Sequence, residues 1–235
     1  MFSQYVEDKE MKQKPQNMKW LAAFLCCALL WASPVMATNY ALWIAGVQVT
    51  SSNCKDLSVI DGVSTSRGNF QYDPIENKLT MTDVKVDAGS NIAILNNITW
   101  LRIEVSGSNE LKTNDEGLAC AAPTQIVGNG SLTIVSKENI GVSLLNSDMR
   151  FSISDITLNV SGKWGIAGID GKKGEILELD NAKVIATGTE GAIVNLAAVT
   201  TAGCCIVSPE GGEFNGNAVV DKKGHWVKKS IWQRQ

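Results

Sequence analysis

An eight-residue template recurs along the chain, with apolar side chains at places 1, 3, 6 and 8. It reads Leu79, Met81, Val84 and Val86, then Phe151, Ile153, Ile156 and Leu158, then Leu177, Leu179, Ala182 and Val184. A fainter copy is Val199, Thr201, Cys204 and Ile206. A straight strand facing one core alternates strictly, and an amphipathic helix repeats at i, i+3, i+4 and i+7. The template obeys neither rule. The two residues between places 3 and 6 shift the phase, and a bend there returns the second strand's apolar residues to the interior. Thr82 and Asp83, Ser154 and Asp155, Asp180 and Asn181, and Ala202 and Gly203 stand at the bend. Most of these types stabilise turns, by side-chain hydrogen bonds or by tolerance of positive φ.

A Gly or small-residue turn and another short apolar run follow the second strand, as at 91–95, 165–169 and 191–194. One unit is therefore strand, corner, strand, turn, strand. Copies beginning at Leu79, Leu101, Leu132, Phe151, Leu177 and Val199 lie 19 to 31 residues apart. That period predicts an all-β fold, a short right-handed parallel β-solenoid (β-helix) over 79–217. The copies at Leu101 and Leu132 match the template only at places 1 and 3. A β-sandwich of short strands is the alternative. A solenoid ends in unpaired strand edges, so the flanking segments are assigned to capping. Residues 38–78 supply N-terminal strands and a hairpin, and 218–235 supply a C-terminal cap with a basic tail.

The first 37 residues carry a different pattern. Lys12, Lys14 and Lys19 precede an apolar run over 20–32, and Ser33, Pro34, Val35, Met36 and Ala37 follow. Basic, apolar and small-residue regions in that order describe a secretory signal peptide. The apolar run is shorter than the roughly 20 residues that span a bilayer. Met18 with Lys19 and Trp20 opens a compact signal by itself. Cys26 follows the bulky Leu25, which argues against a lipoprotein site. Cleavage between Ala37 and Thr38 leaves a chain expected to be secreted, periplasmic or on the cell surface, with no transmembrane anchor.

Removing that segment leaves 17 basic and 21 acidic residues, net −4. Lys222, Lys223, Lys228, Lys229 and Arg234 concentrate positive charge at the C-terminus. The acidic body argues against nucleic acid, whose phosphates require a basic face. Cys54, Cys120, Cys204 and Cys205 remain, in a compartment where disulfides persist. Cys54, Cys120 and Cys205 are the candidates for disulfides or reactive thiols. Cys204, at place 6, is expected to face the core. With no Cys-x-x-Cys spacing and His225 as the one histidine, neither a metal site nor a cofactor is expected.

Several stretches resemble a family of exported bacterial β-helix-like repeat proteins labelled carbohydrate-binding-domain-like. They are 40–50 (YALWIAGVQVT), Tyr72-Asp73-Pro74 leading to Leu79-Thr80-Met81, 188–195, 203–214 (GCCIVSPEGGEF) and 218–228 (AVVDKKGHWVK). The resemblance covers nearly all of the mature chain, and its motifs mark the repeat rather than an activity. It implies a parallel β-helix and glycan binding at the cell surface.

No residue set points to catalysis. Asp155 and Asp180 fall at neighbouring corners, but turn stabilisation already accounts for them, and a glycosidase needs a carboxylate pair. Lys85 between Asp83 and Asp87 is a poor imitation of a lyase base beside a calcium site. No nucleophile elbow, P-loop or zinc-protease motif occurs. Trp43 and Trp100 take outward places and Trp164 sits in a turn, so these three are the glycan-binding candidates, since exposed indoles stack on sugar rings. The expected function is a non-catalytic glycan-binding or surface-interaction module with a polysaccharide or surface glycan as partner. The alternatives are a purely structural envelope module and a carbohydrate-active enzyme, a lyase or hydrolase. Intact-mass measurement of the exported protein is expected to give an unlipidated chain starting at Thr38. Retention of residues 20–32 would contradict the signal reading.

Overall fold

The computed structural model describes residues 36–171 and 174–235; the apolar run at 20–32 lies outside them. The fold is a β-solenoid of about five turns built from three parallel ladders. The described residues contain no α-helix, only a 3-10 turn at Leu57–Val59. None of their helices is long and apolar enough to cross a membrane.

The first ladder stacks the start of Lys78–Asp87 with Leu101–Ser106, Thr124–Gly128, Arg150–Ser154, Ile176–Asp180 and Ala198–Ala202. Leu79, Ile103, Ile126, Ile153, Leu179 and Thr201 form one column through it. The second ladder carries Val86, Leu111, Ile134, Val160 and Ala186 in register. The third carries Ile94, Leu118, Val142, Ile166 and Ile193. Apart from Thr201, every residue of these columns is buried in one continuous core.

The corner between the first two ladders explains the template's phase shift. Asp83, Gly107, Asp155, Asn181 and Gly203 all have positive φ there. Asp83 Oδ1 accepts the Ser108 N–H at 2.9 Å, and Asn181 Nδ2 donates to Asp155 Oδ1 at 2.6 Å one coil below. Side chains that tolerate the left-handed conformation therefore also tie the corners together. Entry to the third ladder has a different steric rule. Gly117, Gly141 and Gly165 face the interior in successive coils, and a Cβ on Gly141 would lie 2.2 Å from Val160 Cγ1. In the last full coil Ala192 takes this position.

Two copies of the template sit elsewhere than the apolar pattern indicates. Leu132 pairs with Leu158 in the second ladder, so it does not begin a coil; that coil begins at Thr124, aligned with Leu101 and Phe151. Leu79 aligns with Ile103 rather than Leu101, because the corner at Asp83 and Gly107 lies farther along the strand than in later coils. The obscured coils carry polar residues on interior columns. Thr124 is fully buried, accepting from Asn96 Nδ2 at 2.8 Å and donating to Ala122 O at 2.8 Å. Asn109 occupies the column of Leu132. Its Oδ1 accepts Val84 N–H at 2.9 Å, and its Nδ2 donates to Ser106 O at 2.8 Å and Ser131 O at 3.3 Å, linking three coils.

Antiparallel strands close most ends of the stack. Val63–Asp73 pairs along Lys78–Asp87, covering the first two ladders, and Asn39–Ile44 pairs with Ile94–Asn96 on the third. At the other end Lys229–Arg234 pairs with Lys183–Val194, and the Val194 to Ala218 bridge closes the third ladder. Replacing Gly141 with Ala is expected to cost about 2 kcal/mol, the usual scale for overpacking a core. A thermal melt followed by circular dichroism checks this, and an unchanged midpoint would contradict the glycine column.

Candidate functional site

Residues on the outer side of a ladder alternate with the core column and normally meet water. On the third ladder this outer column runs Trp43, Leu95, Ala119, Ser143, Ala167, Val194 and Ala218, without a charge. Ala167, Val194 and Ala218 form an apolar cluster separate from the main core, with Ile140 and Trp164 packed against it. Ser143 and Ala167 lie on the floor of a groove of about 280 Å³, lined also by Ile140, Trp164, Leu145 and Ile169. Leu145 is 37% exposed and Ile169 45%. Trp226, 47% exposed, comes over Gly191 from the C-terminal segment. The two indoles converge on Gly191: a Cβ there would stand in ordinary contact with both, 3.6 Å from Trp164 Cδ1 and 3.8 Å from Trp226 Cε3, while Val194 Cγ1, at 2.5 Å, is what leaves it no room.

Polar groups border the groove. Lys163 Nζ lies 4.6 Å over the Trp164 ring and 3.4 Å from Glu190 Oε1. A second cavity, of about 480 Å³, opens at the neighbouring corner among Ser90, Asn114, Asp115, Glu138 and Asn139. There Asn139 Nδ2 donates to Asp115 Oδ1 at 2.8 Å. Ser143 Oγ donates to Glu116 Oε2 at 2.9 Å. Burial pushes the Glu116 carboxyl above the usual glutamate range, with Asp115 adding to the rise against the serine hydrogen bond. No group of three or more His, Cys, Asp or Glu among the described residues could hold a metal ion.

The structure brings Trp43 and Trp164 to the same face, four strand spacings or roughly 19 Å apart along the stack. Trp100 stands off that column. It occupies the turn before Leu101 with φ 58° and is 51% exposed. Ile140, Leu145, Ile169 and Trp226 were not singled out from the sequence. The alternation of Ala and Ser with the core residues of this ladder was the signal available for the groove floor. Asp155 and Asp180 serve the corner: the Asp155 carboxylate accepts from Asn181 Nδ2, and the Asp155 backbone N–H bonds Asp180 O.

All four described cysteines are free. Cys54 and Cys120, candidates for disulfides or reactive thiols, are both buried. Cys54 lies in the N-terminal cap against Ser51 O, and Cys120 lies in the core, where burial pushes its thiol up to about 12. Cys204 is buried, its sulfur against Ala182 N and O, and Cys205 is partly exposed. Compared with known proteins, the chain matches no family model, no curated protein and no solved structure.

Because its folded carboxyl holds the proton more tightly than the unfolded one, Glu116 costs stability as pH rises from about 4 through its folded value. Glu116→Gln keeps an acceptor for Ser143 and is expected to raise the melting temperature slightly at neutral pH. The gain should vanish near pH 4. A gain independent of pH, or a loss at neutral pH, would contradict this electrostatic role.

Proposed function

We propose that the protein is a non-catalytic glycan-binding module whose ligand lies along the outer face of the third ladder. One observation carries this reading: an uncharged column runs between Trp43 at one end and the converging Trp164 and Trp226 near the other. A sugar ring offers an apolar C–H face to an indole and hydroxyls at its edge. The groove complements both, with apolar walls at Ile140, Leu145 and Ile169 and polar groups at Ser143 and Asn195. The resemblance of several stretches to carbohydrate-binding-domain-like repeat proteins agrees with the choice of ligand, and export, with cleavage after Ala37, belongs to the same proposal. A structural module without a ligand is the second reading. It draws on the Lys163 ammonium, which occupies one face of the Trp164 ring.

A glycan array on the purified protein tests the proposal. Stacking on one aromatic contributes about 1 kcal/mol on the scale of aromatic pairs, so single-site binding should fall in the roughly micromolar-to-millimolar range. Trp164→Ala and Trp226→Ala should each weaken retention on the best polysaccharide several-fold with the fold intact. Trp100→Ala, off the column, should leave retention unchanged. An empty array favours the structural module. Release of cleaved products would overturn the non-catalytic reading.

A further inference from the structure

The ends of the stack are unequally closed. Ala198–Ala202 is the last strand of the first ladder and, among the described residues, pairs with Ile176–Asp180 alone. Its Ala198 N–H reaches Glu175 O, and its Ala202 C=O accepts from Asn181 N–H. Peptide groups alternate sides along a strand, so the groups of residues 198, 200 and 202 point into the ladder. Those of Val199 and Thr201 point outward, past the end of the solenoid. Thr200, Thr201 and Ala202 are exposed.

Proteins that keep an edge strand single blunt it with lysine, proline, a bulge or a covering segment. This edge has none of the first three: residues 197–208 read AAVTTAGCCIVS, with no charge and no proline. The register of Ala198–Ala202 with its neighbour is also unbroken. We propose that this edge pairs with the same edge of a second copy, antiparallel and centred on Thr200, giving a two-fold dimer.

The strand is self-complementary in its hydrogen-bond pattern and in its side-chain faces. Centring on Thr200 sets Val199 against Thr201 of the second copy, and Thr201 against its Val199. These are the residues whose peptide groups point outward, so both N–H and both C=O groups on each copy find partners, in four hydrogen bonds. Side-chain faces agree as well. Val199 and Thr201 continue the interior columns of Leu177 and Leu179, and each meets the other type across the junction. Thr200 meets Thr200 on the outer face, a favourable cross-strand pair. No like charges are brought opposite one another. An isologous contact of this kind closes on itself and leaves no further edge of the first ladder at that end.

Sedimentation of the purified protein over a concentration series tests the pairing. The expected result is a reversible rise to twice the monomer mass, with a dissociation constant of roughly 10 to 500 µM. Thr201→Pro removes an outward N–H that serves no bond within the described residues, and edge strands tolerate proline at such a position. It should keep the circular-dichroism melt and weaken association at least roughly tenfold. Thr200→Lys, which sets two charges face to face, should do the same. Thr200→Cys should give, on mild oxidation, a peptide linked to its own copy through position 200, because a non-hydrogen-bonded antiparallel pair lies within disulfide range. A protein that stays monomeric throughout the series overturns the proposal. So does a dimer that survives both Thr201→Pro and Thr200→Lys, which would place the contact elsewhere. A monomer whose Val199 and Thr201 amides resist hydrogen exchange would also overturn it, because another segment would then hold the edge.

Discussion

Each parallel strand of this protein leaves half of its peptide groups to the coil above and half to the coil below, and a buried group without a partner costs about 1 to 3 kcal/mol. No coil is satisfied alone. The fold therefore needs strands repeating about every two dozen residues, and it needs something different at the ends. Antiparallel strands from the flanking segments fill that role on both sides. The caps also end the core: Phe70 and Tyr72 pack over Met81 and Leu79, while Trp232 meets Val184.

Register is held at the corners and by interior polar residues as much as by apolar columns. A column of Leu, Ile and Val is nearly indifferent to exchanging one coil for another. Asn109, bonded to three successive coils, is not, and neither is Asn96, whose amide bonds Thr124 and Ile98 while its oxygen takes the Ile98 N–H. Buried polar groups of this kind are tolerated because their hydrogen bonds are met. The glycines at 117, 141 and 165 add a steric constraint, since the core residues of the second ladder occupy the space a side chain would take.

Those same features divide what could be read in the sequence from what could not. The bend, the three-strand unit and the coils at Phe151 and Leu177 follow from the apolar template, because their interior columns are apolar. The coils at Leu101 and Thr124 were obscured because Asn109 and Thr124 stand where the template expects apolar residues. Of the candidate site, Trp43 and Trp164 were legible as outward aromatics. The groove was not. It depends on the packing of Ile140 beside Trp164 and on Trp226 reaching Gly191 from a segment far along the chain. Only the register of the third ladder sets the small residues at 143 and 167 into one floor.

Amide hydrogen exchange in dilute solution, resolved residue by residue, tests the dependence of each coil on its neighbours most directly. Strands with partners on both sides, Leu101–Ser106, Thr124–Gly128 and Arg150–Ser154, should be protected at successive residues, including Arg102, whose side chain is in water. Ala198–Ala202, with one neighbour, should alternate, slow at Thr200 and Ala202 and fast at Val199 and Thr201. Rapid exchange through the inner strands, or equal protection along the edge strand in the monomer, would contradict the account.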